Sequence, residues 1–220
     1  MNKTLIVAAL SALAAGSALA QSSVTLYGRV NVSAERQDAA GKKTYQLVNN
    51  ASRIGFKGTE DLGGGLKAGF QLEHGFNIDN GAASQSTFWA RQAEANLSGG
   101  FGAVRLGTFI SEAYFATADY ISMHNHDTGP SSDALYAYVG RNVNKIAYRA
   151  PTFVKGLSIE GAVSAGEGAA NTTRSYDFAV NYEVGKLALG LGAERNNAKE
   201  QFAVRALYDF GMRQPAGDDD

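Results

Sequence analysis

Ten segments of this chain alternate apolar and polar side chains with a period of two. That pattern, repeated almost end to end, leaves little besides an antiparallel all-β fold. The segments run over 24–33, 52–60, 66–78, 87–98, about 103–110, 144–149, 157–165, 176–182, 187–195 and 201–210. In the third, Leu66, Ala68, Phe70, Leu72, Phe76 and Ile78 oppose Lys67, Gln71, Glu73 and Asn77. In the last, Phe202, Val204, Ala206, Tyr208 and Phe210 oppose Arg205 and Asp209. The polar side as a whole carries Arg29, Arg53, Lys57, Lys67, Glu73, Glu94, Lys145, Arg149, Glu160, Asp177, Arg205 and Asp209.

The connections differ in kind. Gly63-Gly64-Gly65, Gly99 to Gly102, Pro151 to Gly156 and Glu183 to Lys186 are tight, with glycine available for the turns. Between them run mostly longer polar loops, Arg36 to Ala51, Asp79 to Ser86, Ser111 to Gly140 and Gly166 to Thr173, with Asn196 to Lys199 a short exception. Short turns at one end and long loops at the other are the habit of membrane-spanning β-barrels. A soluble barrel also alternates, with its apolar side inward, so alternation alone does not say which face is wet. The aromatic ends of the apolar stripes (Tyr176, Tyr182, Tyr208, Phe210) favour the membrane.

The first residues point the same way. Met1-Asn2-Lys3-Thr4 is a short positive start, 5–13 is almost wholly apolar, and Ala18-Leu19-Ala20 offers a small-x-small cleavage site. Residues 1–20 are therefore expected to be a signal peptide and 21–220 a single β-barrel domain. After this leader no run of about 18 apolar residues remains, so no membrane-spanning helix is expected. The chain has 20 basic and 21 acidic residues, a formal net charge of −1, and this excludes any electrostatic case for nucleic-acid binding. It has no cysteine, which argues against thiolate metal sites.

Particular stretches carry a resemblance. Ser23-Val24-Thr25-Leu26-Tyr27-Gly28 and the long run Ser52-Arg53-Ile54-Gly55-Phe56-Lys57-Gly58-Thr59-Glu60-Asp61-Leu62-Gly63-Gly64-Gly65-Leu66-Lys67-Ala68 resemble the general trimeric outer-membrane porins of β-proteobacteria. Leu72-Glu73, Gly75-Phe76, Arg91-Gln92-Ala93, Gly102 to Gly107 and Asn144-Lys145-Ile146-Ala147-Tyr148 with Pro151 continue the likeness in order, to about Phe210. The resemblance implies a 16-stranded antiparallel transmembrane β-barrel, usually a homotrimer in outer-membrane lipid, with its third extracellular loop folded inward. It implies passive diffusion of ions and small hydrophilic solutes, with no cofactor. Two departures stand out. The chain ends at Gly211 to Asp220 without a terminal aromatic strand, so about six strands of the family pattern are absent, and a piece of a longer barrel is expected. A ten-stranded barrel is the alternative. The second departure is Thr108, where the family motif would place a basic residue.

A diffusion pore needs a narrow, wet, charged place rather than a catalytic group. Alternation puts Arg53 inward, and the resemblance makes it a wall arginine; Arg91 and Arg141 are carried over from their motifs, and Arg29 and Arg105 join on parity alone. Facing this basic wall the reading places Glu73, Glu112 and Asp119. Parity sets Arg91 with Trp89 and Ala93 on the lipid side, which requires a bulge near Trp89 to turn it inward. His124, His126 and Asp127 form a weak metal pattern, and no metal is expected there. The rival readings are an outer-membrane hydrolase, with Asp119, His124, His126 and Asp127 as its only candidates, and a non-conducting structural or adhesion barrel.

Overall fold

A computed structural model describes residues 23–118, 136–137, 141–165, 174–197 and 199–211. The expected leader, Asp119, His124, His126 and Asp127 lie outside the described residues. Twelve strands and one short helix make up the rest: β1 (Ser23–Arg29), β2 (Val32–Ala39), β3 (Lys42–Asn49), β4 (Arg53–Gly63), β5 (Leu66–Gly75), β6 (Gln92–Gly99), β7 (Gly102–Ile110), α1 (Glu112–Thr117), β8 (Arg141–Arg149), β9 (Leu157–Ser164), β10 (Ser175–Val184), β11 (Leu187–Asn196) and β12 (Lys199–Tyr208).

Ten of the strands form one sheet in the order β1-β4-β5-β6-β7-β8-β9-β10-β11-β12, every neighbouring pair antiparallel. These are the ten alternating segments of the sequence. Among the described residues β1 pairs only with β4 and β12 only with β11, so the sheet is open at both edges. The short turns fall where glycine permits positive φ: Gly63, Gly64 and Gly65 have φ of 86°, 61° and 82° between β4 and β5.

Register keeps the two faces distinct. Leu26, Phe56, Leu72 and Ala93 are successive cross-strand partners, as are Ile159, Val180, Leu191 and Val204. This apolar face is the open one: Leu26 is 63% exposed, Leu106 47%, Ile146 53% and Val204 65%. The polar face is the covered one, with Glu94, Lys145, Glu160, Asp177 and Arg205 all buried. A soluble barrel would show the reverse polarity. The inversion settles the wet side, because only lipid makes exposed Leu, Ile and Val favourable over a whole sheet face. A charge set into that face should therefore be costly. Leu106→Arg, at the middle of β7 between Ala95 and Ile146, should destabilise the folded state by about 2–4 kcal/mol in bilayers. Denaturant titration in lipid vesicles measures it; a loss near the ~0.5 kcal/mol of ordinary surface substitutions would remove that face from the hydrocarbon.

The structure departs from the alternation in three places. The first strand breaks at Val30–Asn31 rather than running to 33, and the expected loop from Arg36 to Ala51 is instead most of a hairpin, β2 with β3, lying outside the main sheet. Its root is sewn to the sheet by Ser52, whose Oγ accepts from Asn31 N–H (3.0 Å) and donates to the Asn31 carbonyl (3.1 Å), and by Asn50 N–H on that same carbonyl (2.9 Å). The third strand ends at Gly75, not Ile78. Last, β6 begins at Gln92, and 87–91 is not strand. Phe88 instead stacks on the His74 ring (4.1 Å, 16°), and Trp89 meets Phe56, His74 and Phe88 edge-on. The bulge expected near Trp89 is therefore replaced by a non-strand approach, and Arg91 escapes the parity conflict because no ladder fixes its direction.

Candidate functional site: the charged inward face

The connection from β7 to β8 starts with a capped helical turn. Ser111 Oγ accepts from Tyr114 N–H at 3.1 Å, Glu112 places its charge in the first turn, and Ala118 N–H closes on the Tyr114 carbonyl at 2.8 Å. This helix, α1, lies on the inward face of β10, β11 and β12. The wall is shaved to receive it. Ala179 and Gly192 are register partners, and a Cβ on Gly192 or Gly190 would collide with the carbonyl oxygen of Ala113 or Ala116. Ala113, Ala116 and Ala179 form the small apolar core of this contact. Thr117 Oγ1 donates to the Ala113 carbonyl (3.1 Å) and hydrogen-bonds the Tyr136 hydroxyl (2.7 Å), so the far end of the connection returns to the same helix. Tyr114 is buried there.

Two charge clusters occupy the inward wall. The first spans β1, β4 and β5. Arg29 and Arg53 are directly opposite one another across the ladder, and Glu73 stands between Arg53 (3.8 Å) and Arg91 (2.5 Å). Tyr27 donates its hydroxyl proton to Glu73 at 3.0 Å and accepts from Gln71 at 2.8 Å. Two arginines thus reach one carboxylate, with a third across the ladder from Arg53. The second cluster spans β6 to β10. Arg105 makes two bonds to Glu94 (2.9 and 2.8 Å) and a forked one to both oxygens of Glu160 (3.0 and 3.3 Å), and Arg149 binds Glu160 at 2.9 Å and Glu112 at 2.8 Å. Lys145 pairs with Asp177 at 2.8 Å. The Arg105 guanidinium and the Lys145 ammonium both lie over the Phe109 ring, 4.3 and 5.0 Å from its centre. Here three cations meet the four carboxylates of Glu94, Glu112, Glu160 and Asp177. Burial pushes the Glu112 carboxyl up, an effect that Arg149 and Arg105 partly offset and Glu160 reinforces.

The structure sets Arg29 opposite Arg53 on the ladder and brings Arg53 and Arg91 to the same carboxylate, Glu73. It sets Arg105 apart from them, in the second cluster. Glu73, expected across the lumen from the basic wall, stands within it. Glu112 faces Arg149 and Arg105. The backbone of Arg141 pairs with Ile110, while its side chain, like Asp119, lies outside the described part. The sequence reading did not single out Glu94, Phe109, Lys145, Arg149, Glu160 or Asp177 as a site. Their strand parity was legible for the charged five; what brings them together is register across four ladders.

An apolar outside, a charged inside and a helix-bearing connection seated on that inside define the wall of an outer-membrane β-barrel. The family model described as "Gram-negative porin" matches residues 6–217. Outer membrane porin protein 32 of Delftia acidovorans is 35% identical over 249 aligned positions, covering 99% of this chain and 68% of that protein. Major outer membrane protein P.IB of Neisseria meningitidis serogroup B is 34% identical, covering 84% of this chain and 56% of its own length. The solved anion-selective porin from Comamonas acidovorans superposes with a TM-score of 0.66 at 30% identity, over 87% of this chain and 65% of that one. OmpF of Salmonella typhi shares the fold at 18% identity with a TM-score of 0.64. The chain belongs to the Gram-negative porin family, and its place is the outer membrane. It spans between about half and two thirds of the length of these relatives.

Proposed function

We propose that the protein is a passive diffusion channel, a water-filled pore for ions and small hydrophilic solutes that works without cofactor or energy input. The observation that carries the reading is the dense, ion-paired inward face. A dozen strand charges would have no reason to line a dry interior, since burying charge away from water is expensive. The Arg29, Arg53 and Arg91 cluster beside Glu73 favours a mild anion preference; the likeness to an anion-selective porin supports it. Arg141, Arg105, Glu112 and Asp119 complete the proposed constriction, and a homotrimer in outer-membrane lipid is the proposed assembly.

Recording from planar bilayers after folding in detergent tests the channel: stepwise, non-energised conductance is expected, and a baseline indistinguishable from bare lipid would sink the idea. The long connection should narrow the path, because loops of this length inside a compact fold are usually functional. Removing Phe115 to His126 should then raise single-channel conductance, whereas an unaltered step size with folding intact would put the connection outside the path.

A further inference from the structure

The root of the β7–β8 connection is held to the wall by one charged tether. Glu112 is the only charged side chain among its described residues, 111–118 and 136–137. Beside it stand a side-chain hydrogen bond between Ser111 and Glu194 on β11 and the alanine contact on Ala179, Gly190 and Gly192, which buries little apolar area. The carboxylate of Glu112 meets an arginine pair whose geometry is already fixed by other groups. Arg149 and Glu160 are register partners on β8 and β9, and Glu160 takes the Nε edge of Arg149 at 2.9 Å. One of the two remaining guanidinium nitrogens of Arg149, Nη2, binds Glu112 at 2.8 Å. Arg105 is held by two bonds to Glu94 and by Glu160, and its own guanidinium comes within 3.7 Å of Glu112. Glu160 is thus shared by both arginines and is almost wholly buried.

We infer that Arg149, oriented by Glu160, is a positioning residue for the long connection. Through Glu112 it fixes the first turn of α1 and so sets how far the connection reaches across the lumen. The inference rests on the diffusion-channel reading and deepens it. A guanidinium suits this place because its planar fork can bind two carboxylates at once along different edges; a lysine ammonium is a point charge and lacks that fixed fork. Arg149 is itself partly open, with 40% of its side chain exposed, so the tether can be cut without emptying the core.

The test pairs a conduction readout with one that needs no conduction. The connection from 111 to 140 holds Tyr114, Phe115, Tyr120, Tyr136 and Tyr138 but no Lys or Arg, so chymotrypsin reports its accessibility in the detergent-folded protein. Glu112→Gln and Arg149→Met should each speed cleavage within the connection several-fold and should broaden and raise the conductance steps. The double variant should do no more than the stronger single one, because both cut the same tether. Arg195→Gln, which breaks only the exposed pair with Glu200, should leave both readouts at the parent's values. Cleavage and conductance of Glu112→Gln equal to the parent's, or singles whose effects multiply in the double variant, would overturn the inference. If Arg149→Met does not fold, Glu112→Gln decides alone, since it leaves every wall residue in place. A parent that never conducts would defeat the channel reading, and the chymotrypsin arm would still judge the tether.

Discussion

Glu160→Ala should cost the folded protein about 3–5 kcal/mol, the range seen when one partner of a buried ion pair is removed. Glu160 is 1% exposed, and its two oxygens take Arg105 at 3.0 and 3.3 Å and Arg149 at 2.9 Å. Without it, Arg105 keeps Glu94 and Arg149 keeps Glu112, and the positive charge of Arg105, whose side chain is 15% exposed, is left short of a partner in a covered place. The attraction lost is larger than for a surface pair because little water screens it. Arg195 and Glu200 provide the comparison within the same molecule: their side chains are 64% and 69% exposed, and such a pair contributes at most about 1 kcal/mol. Urea titration in detergent, followed by the gel mobility of unheated samples, measures both variants. If Glu160→Ala shifts the midpoint no more than Arg195→Gln does, the second cluster is solvated in the lumen and contributes nothing as a network.

Arg53→Glu should move the zero-current potential in a salt gradient toward cation preference, with the shift shrinking as salt rises. The substitution replaces a cation that reaches Glu73 with a second carboxylate, at a place where Arg29 lies directly opposite and Glu73 is 3.8 Å away. Charges further apart than about 8 Å at physiological salt are largely screened from one another in water. The local balance should therefore outweigh the chain's net charge. Identical reversal potentials for parent and variant at low salt would remove Arg53 from the constriction, and with it the proposal that this basic cluster selects anions.

The sheet was legible because a barrel in lipid writes its two faces into the sequence with opposite chemistry. Every strand that touches lipid on one side and the charged interior on the other shows the alternation, and all ten were read. The β2–β3 hairpin escaped because it touches neither environment alone: Glu35, Arg36, Gln37, Asp38, Lys42, Lys43 and Thr44 put polar groups on both faces, leaving no apolar stripe to detect. The start of β6 was misread for the opposite reason. Trp89 and Phe88 look like strand residues by type, yet their rings find His74 and Phe56 on the outer face, and aromatic stacking there wins over the ladder.

The candidate site was legible in part. Arg53 and Arg29 follow from parity, and register then places them side by side. The partnership of Arg105 with Glu160, 55 residues apart, depends on two consecutive ladder alignments, and a shift of one residue in either would turn the side chains beyond it to the other face. Parity gives direction but not height along the strand. For the same reason Glu73 was read as standing across the lumen when it stands beside Arg91. Phe109, an apolar residue pointing inward, carried no signal of its role; its ring is the platform on which Arg105 and Lys145 rest. The seat of α1 did leave a trace, since β10 and β11 carry Ala179, Gly190 and Gly192 at inward positions where neighbouring strands carry charge.

The hairpin formed by β2 and β3 gives the molecule a surface that can be revised independently of its wall. Its two strands pair only with each other, from Val32 with Asn49 to Ala39 with Lys42, and the chain reverses through Ala40 and Gly41 at φ of 52° and 79°, a two-residue reversal of the type that suits twisted ribbons. Residues added in pairs at that tip would lengthen the ribbon while leaving Asn31, Asn50 and Ser52, which sew its root to the sheet, in their present bonds. An epitope tag or a reporter peptide inserted between Ala40 and Gly41 would thus be displayed on a stalk, while the strands behind it stay unchanged.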